Sequence, residues 1–392
     1  MIKIFHNNKL IANFQKDKKY VLEYKDFELK NSISLSLPNT QKFYISDEMI
    51  AYFDTFLPEG YLFEIFKNYL IKEFGYIDDY LLFSVLSPNI EGRIRYISEF
   101  ESENQTFDFT LKNILENDNE DTFQMLLKIF LNKNAISGVQ PKSMAVLKES
   151  LTFKKYIVKT WGKEFLNLAE NEYISLKTIE FSGVNIPNIH LSKNKNFLVV
   201  ERFDENLGFE EAISLFNKTK LLKYSGSYEQ IAKEFYKYLS DLNDLKTYFK
   251  LIVMNYLLKN GDAHLKNFGL LFNDDFSNIT IAPAYDVVTT VVYIFNDKPA
   301  LTLNGQKLWH SKDKLIDFGI KYCYLSKKEA ENLFEECYEA LKKGIVFLED
   351  YINKNPSFEK IGLRMLDVWK HSLKLKEEKE IPFEFRRAWK QN

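Results

Sequence analysis

The nonapeptide Asn260-Gly261-Asp262-Ala263-His264-Leu265-Lys266-Asn267-Phe268, followed beyond an apolar strand by Tyr285-Asp286-Val287, sets three oxygen-bearing side chains at a distinctive spacing. Phosphoryl transfer from a nucleoside triphosphate needs such a set. A first carboxylate faces the attacking hydroxyl, while an amide oxygen and a second carboxylate hold magnesium against the phosphates. Asp262, Asn267 and Asp286 stand in that order. The same nine residues also suit an Asn-Gly turn with an exposed Asp and an Asx-bonded loop. The nonapeptide alone does not separate the two readings; the rest of the chain does.

At 392 residues the chain has room for two or three domains with filled cores. Its 45% hydrophobic and 28% charged residues are those of an ordinary globular protein, and 34 Phe with 23 Tyr predict large aromatic cores. A net charge of −2 argues against nucleic-acid binding through bulk positive charge, although Arg386-Arg387 forms a local basic pair. Two cysteines, Cys323 and Cys337, in stretches that read as helical, point away from a disulfide framework or a cysteine zinc site and toward a reducing compartment. His6, His190, His310 and His371 show no metal-ligand spacing. No apolar run is long enough to span a bilayer, and the N-terminus alternates like a strand rather than a signal peptide. The expected location is cytoplasmic, without membrane contact.

Three segments follow from patterning: 1–98, a small α/β module; 99–204, rich in strands with one helix; and 205–392, mostly helical. In the first, Asn7-Asn8 between apolar alternations predicts a hairpin, Val21–Tyr24 a strand, and Ser32-Ile33-Ser34-Leu35-Ser36-Leu37, with strict period two, another strand that Pro38 ends. A helix over 60–74 is expected to close at Gly75. Polar, acidic residues at 101–105 and 116–121 mark the boundary. From 228 onward, helical periodicity dominates outside the 260–305 region. A small β-rich part followed by a large helical part gives an α+β, bilobal plan.

The parts that a triphosphate needs appear in order. Ser137-Gly138-Val139-Gln140-Pro141-Lys142 precedes the predicted strand Met144–Leu147, with one glycine where phosphate loops usually carry two or three. Tyr156-Ile157-Val158-Lys159 ends a strand in lysine, which is also what an exposed strand edge does. The following helix, 168–179, offers Glu170 and Glu172 to pair with that lysine, and Glu172 is preferred because it opens the apolar face. Phe197–Asp204 is an apolar strand running into charge. It reads equally as a lobe junction that binds adenine or as a core strand leaving its sheet.

The Asp-x-x-x-x-Asn spacing is that of the protein-kinase catalytic loop, but the preceding His-Arg is missing and Asp286 is followed by Val287-Val288, not Phe-Gly. With Gly138-Val139-Gln140-Pro141-Lys142, Val200-Glu201-Arg202-Phe203-Asp204, Asp262–Phe268 and Pro283-Ala284-Tyr285-Asp286, the chain closely resembles the HipA family of bacterial serine/threonine kinases, toxins of type II toxin–antitoxin modules. Ser34–Pro38 and Phe53–Gly60 resemble the small domain that precedes the kinase core in that family. The resemblance thus covers nearly the whole chain.

The resemblance implies a bilobal, protein-kinase-like fold with ATP and Mg2+ as cofactors. It also implies a protein substrate such as an aminoacyl-tRNA synthetase, and a helix-turn-helix, HipB-like antitoxin that carries the toxin onto operator DNA. Asp262 would be the base, Lys159 the phosphate lysine, and Asn267 and Asp286 the magnesium ligands. Ser137, Gly138, Val139, Gln140 and Lys142 would form the phosphate loop, and Glu201 and Phe203 would offer backbone to adenine. His264 would brace the loop beside the nucleotide, and Lys266 would face the transferring charge. Family members silence themselves by phosphorylating a serine ahead of this loop. Here Ala135 stands where some relatives have serine, and Ser137 is the remaining candidate. Two other readings stay open: a non-catalytic nucleotide-binding antitoxin or scaffold, and a kinase acting on a small molecule or lipid.

Overall fold

The computed structural model describes residues 1–100, 110–133, 149–152, 155–160, 165–204 and 207–374. The phosphate-loop residues Ser137, Gly138, Val139, Gln140 and Lys142, the expected strand 144–147 and Arg386-Arg387 lie outside the described residues. The architecture is α+β, in two compact units: 1–165 with 188–223 and 269–279, and 166–187 with 224–268 and 280–392.

The first unit opens with a five-stranded antiparallel sheet. Its strands are β1 (Ile2–His6), β2 (Lys9–Lys16), β3 (Tyr20–Tyr24), β4 (Phe43–Ser46) and β5 (Arg95–Ile97), in the spatial order β4-β3-β2-β1-β5. The hairpin turns on Asn7 and Asn8, both at positive φ (47° and 63°), the conformation a tight hairpin demands and Asn tolerates. Alternate residues Ile2, Ile4, Phe14, Leu22 and Tyr24 are buried, as the period of two requires. They join a core with the helices Gly60–Phe74 and Asp79–Leu86, in which Phe53 stacks at 4.5 Å on Phe14 and 5.0 Å on Phe83. Gly75 ends the first of these helices at φ 79°, its N–H on the Ile71 carbonyl, as expected.

The expected strand over Ser32–Leu37 does not form. The segment is irregular yet buried, and its donors go to a side chain instead of a neighbouring strand. The Glu210 carboxylate accepts the Leu35 and Ser36 N–H groups at 2.7 and 3.2 Å, the Ser34, Ser36 and Ser214 hydroxyls complete its shell, and the Tyr24 hydroxyl accepts the Ile33 N–H at 2.9 Å. Buried backbone groups must find partners, and one carboxylate supplies several at once. Burial raises the Glu210 carboxyl above its ordinary value despite these donors.

A second antiparallel sheet in the same unit holds β6 (Glu149–Thr152), β7 (Tyr156–Thr160), β8 (Ile189–Leu191) and β9 (Phe197–Glu201), in the order β6-β7-β9-β8. Val158, Phe197, Leu198 and Val199 are fully buried along its two central strands. The β8–β9 turn is tied by Asp118, which accepts from the Ser192 hydroxyl at 2.5 Å and from the Asn194 and Asn196 N–H groups at 2.9 and 3.1 Å. Beyond it, β10 (Gly208–Glu211) pairs antiparallel with β11 (Gly269–Phe272).

The second unit is helical, and it carries Leu168–Glu180, Tyr228–Tyr236, Asp244–Leu258, Lys312–Tyr322, Lys327–Lys354 and Glu359–Leu373. Helix Leu168–Glu180 ends before Ser182-Gly183, where the sequence places its stop. Helix Asp244–Leu258 is apolar almost all round, with Tyr248, Phe249 and every residue from Leu251 to Leu258 buried, as a central helix must be. Lys327–Lys354 opens with a Ser326/Glu329 capping box and packs on Leu168–Glu180, Asp244–Leu258 and Glu359–Leu373. Cys323 and Cys337 are free and buried. Among the described residues no helix is long and apolar enough to cross a membrane.

Candidate active site

The nonapeptide 260–268 begins where the central helix of the second unit stops. Lys259 takes the left-handed conformation at φ 57°, and Asn260 turns back on that helix, its N–H on the Asn255 carbonyl at 2.9 Å and its Nδ2 on Asn255 Oδ1 at 2.7 Å. Asn260 Oδ1 then accepts the Asp262 N–H at 3.1 Å. The Gly261 N–H donates to Thr290 Oγ1 at 2.7 Å, and the Thr290 hydroxyl donates to Asp297 Oδ2. Only glycine fits here: a Cβ at 261 would stand 2.0 Å from Asp297 Oδ2 and 2.8 Å from the Lys298 carbonyl. Burial, followed by the Asp262 charge, raises the Asp297 carboxyl.

Downstream, buried Tyr228 donates its hydroxyl to the Ala263 carbonyl at 3.0 Å. A short turn, Leu265–Asn267, opens with a reciprocal capping box. His264 Nδ1 accepts the Lys266 N–H at 3.3 Å, and Asn267 Oδ1 accepts the His264 N–H at 2.9 Å. The His264 ring therefore braces the loop through Nδ1. Asp262 Oδ1 accepts the Tyr224 hydroxyl at 2.8 Å, and the Tyr224 ring meets His264 edge-on at 5.1 Å.

A distant stretch reaches this loop through Tyr285, the residue before Asp286. The Tyr285 hydroxyl donates to the Lys266 carbonyl at 2.8 Å, which joins the residue before Asp286 to the residue before Asn267. Asp286 itself lies at φ 54°, a left-handed backbone that costs a non-glycine residue energy and is held here by its surroundings. Those surroundings are the Ala284 N–H on the Asn185 carbonyl at 2.8 Å and a two-way bond between the Asn171 amide and the Thr289 backbone at 2.9 and 3.2 Å. The Trp369 indole N–H adds a bond to Thr289 Oγ1 at 3.0 Å. Among the described residues, no group of three or more His, Cys, Asp or Glu side chains could hold a metal ion. Asn267 Oδ1 can accept a second bond beyond that from His264, and the Asp286 carboxylate is likewise a hard oxygen donor. Such donors fit magnesium, which keeps waters and phosphate oxygens as its other ligands.

The first unit carries the other sequence candidates. Lys159 is buried on β7 opposite Leu198 of β9. Glu201, three residues along β9, receives the Asn188 amide at 2.9 Å and pairs with His190 at 3.0 Å, and these bonds hold its carboxyl below its ordinary value. The Arg202 guanidinium forks onto Asp204 at 2.9 and 2.5 Å, and the Phe203 ring meets Phe209 edge-on at 5.4 Å. A cavity of about 310 Å³ lies beside Phe203, walled by Tyr52, Phe56, Tyr96, Ile157 and Phe209. Tyr52 and Tyr96 of its N-terminal wall lie outside the motifs of the sequence, and sequence reasoning missed the cavity. In the second unit, Glu170 is committed to Asn167 at 2.5 Å and Tyr351 at 2.8 Å, while Glu172 is also buried.

The HipA-like C-terminal domain matches residues 134–345 and the HipA N-terminal domain matches residues 2–97. The chain belongs to the HipA family. The HipA of Shewanella oneidensis MR-1, solved with HipB and its operator DNA, shares the family fold with this chain. It superposes with a TM-score of 0.70 at 15% identity, over 97% of this chain and all of that one. A Haemophilus influenzae protein named "Putative kinase" is 30% identical over 189 residues, 41% of this chain and 55% of that protein. The "Putative kinase Y4dM" of Sinorhizobium fredii is 26% identical over 219 residues, 48% of this chain and 53% of that one. The chain thus spans about half the length of the curated relatives it matches. In HipA terms, Tyr52, Phe56 and Tyr96 of the cavity lie within the residues matched by the N-terminal domain, and Lys159, Asp262, Asn267 and Asp286 each lie within those matched by the C-terminal domain.

Proposed function

We propose that this HipA-family chain is an ATP- and magnesium-dependent serine/threonine protein kinase and acts as a toxin. The observation that supports the reading is the Tyr285–Lys266 bond, which ties the residue before Asp286 to the turn that holds Asn267 and follows Asp262. In this reading Asp262 orients the acceptor hydroxyl and takes its proton, and Lys266 stabilises charge on the moving phosphoryl group. Asn267 and Asp286 hold the metal, whose contribution when bound is to neutralise phosphate charge. The first unit supplies the nucleotide-binding parts. Lys159 serves the phosphates, and the backbone of Glu201 and Phe203, next to the aromatic cavity, receives adenine. Ser137, Gly138, Val139, Gln140 and Lys142 form the phosphate loop, with Ser137 as the site of self-phosphorylation.

The partners follow from the family. A HipB-like helix-turn-helix antitoxin holds the toxin and links it to operator DNA; the Shewanella HipA was solved together with HipB and its operator DNA. The substrate is a cytoplasmic component of translation such as an aminoacyl-tRNA synthetase. The test is expression in the absence of an antitoxin, coupled to phosphoproteomics. The native chain should slow growth and add phosphoserine or phosphothreonine to a cellular protein, and Asp262→Asn should do neither. Equal labelling by both chains removes the assignment of Asp262, and labelling of small molecules or lipids alone removes the protein substrate.

A further inference from the structure

The Asp262 carboxylate already holds a hydroxyl. Tyr224 Oη donates to Asp262 Oδ1 at 2.8 Å, the bond that an acceptor serine or threonine makes with a catalytic base. The tyrosine belongs to no regular element. It lies between the short turn Lys220–Leu222 and the helix that Ser227 caps, and no motif singles it out. Its backbone is anchored, with the Tyr224 carbonyl accepting from Lys307 Nζ at 3.1 Å and, two residues on, the Gly226 carbonyl accepting the Thr302 N–H at 3.1 Å. Its side chain is 46% exposed, and its ring meets His264 edge-on. Tyr228, one helical turn on, differs: its ring is fully buried and its hydroxyl is fixed on the Ala263 carbonyl. An anchored backbone with a half-exposed ring lets the phenol leave Asp262 by a change of rotamer alone.

We propose that Tyr224 is an acceptor-side residue of the catalytic centre: its phenol occupies the bond on Asp262 that the substrate hydroxyl takes, and the two exchange. This rests on the reading of Asp262 as the base. While the phenol is in place, Asp262 is held oriented but cannot activate water. A protein substrate that brings its own hydroxyl displaces the phenol, whereas water, which binds weakly, does not. Tyr224 thereby selects a protein hydroxyl over hydrolysis of ATP.

The experiment measures ADP release by the full chain with magnesium ATP and no protein acceptor, in the native chain, Tyr224→Phe, Tyr224→Ala, Asp262→Asn and the Tyr224→Phe/Asp262→Asn double variant. Calorimetry with a non-hydrolysable ATP analogue checks that all five bind nucleotide equally. Both Tyr224 variants are expected to release ADP roughly three- to tenfold faster than the native chain, with the double variant as slow as Asp262→Asn. A purely structural role for Tyr224 cannot raise the rate. ADP release at or below the native rate in both Tyr224 variants, with Asp262→Asn impaired, overturns the exchange and leaves the base assignment standing. ADP release in the double variant as fast as in Tyr224→Phe overturns the base assignment instead, and with it the premise of the proposal.

Discussion

Thr290 Oγ1 accepts the Gly261 N–H at 2.7 Å and donates its own hydroxyl to Asp297, so a half-buried carboxylate 35 residues downstream of Asp262 fixes the peptide just ahead of it. The bond also explains why position 261 has no side chain: Asp297 fills the space a Cβ needs.

Thr290→Val keeps the shape and deletes the relay. It leaves the Gly261 N–H buried without its acceptor, at a cost of about 1–3 kcal/mol. The displaced loop should also lower phosphotransfer by roughly tenfold or more, since a shift of about 1 Å at a reacting group costs up to about 10²-fold. Urea denaturation and steady-state rates check the two effects separately.

Asp286→Asn should leave nucleotide affinity nearly intact and raise the magnesium concentration needed for half-maximal phosphotransfer by at least about tenfold, since even outer-shell changes at metal sites cost that much. A titration of rate against magnesium at saturating ATP is the measurement. An unchanged midpoint removes Asp286 from the metal.

Glu210→Ala takes away the acceptor for the Leu35 and Ser36 N–H groups and for the Ser36 and Ser214 hydroxyls. Stranding that many buried donors should destabilise the first unit by about 3–5 kcal/mol. Glu210→Gln should recover only part of this, because its NH2 group faces donors. Hydrogen exchange at Leu35 and Ser36, compared with the native chain, localises the loss.

Lys259 is buried beneath Trp309, its Nζ 4.8 Å from the ring centre, and burial lowers its pKa from 10.5 to about 7. The unfolded chain keeps this proton up to the ordinary lysine value, whereas the folded chain releases it near neutrality. The unfolded state therefore binds more protons between those values, and stability rises as the pH climbs through that window. Lys259→Met removes this dependence. The variant should be more stable than the native chain at neutral pH, by on the order of a few kcal/mol, and the gap should close toward pH 10. Urea midpoints for both chains across that range decide it.

The sequence revealed those parts of the fold and site that local chemistry dictates. Asn7-Asn8 marked a hairpin because few residues accept positive φ twice, and Gly75 marked a helix end for a related reason. Asp262, Asn267 and Asp286 stood out because the proposed phosphoryl transfer calls for those residue types in that order. Ser32–Leu37 misled for an equally physical reason: its alternation of serine and leucine is that of a half-buried strand, but its partner is Glu210, about 175 residues away in the chain. Tyr224, Thr290 and Asp297 escaped notice because each meets the loop from a remote segment, and a single hydroxyl or carboxylate has no spacing to betray it.

The burial of Ser32–Leu37 on Glu210 bears on how this protein can be dissected. Cutting away the first hundred or so residues to isolate a minimal catalytic fragment would strip a carboxylate of its partners and open an aromatic interior to water. An inert fragment would then report a collapsed scaffold, not a missing chemical step.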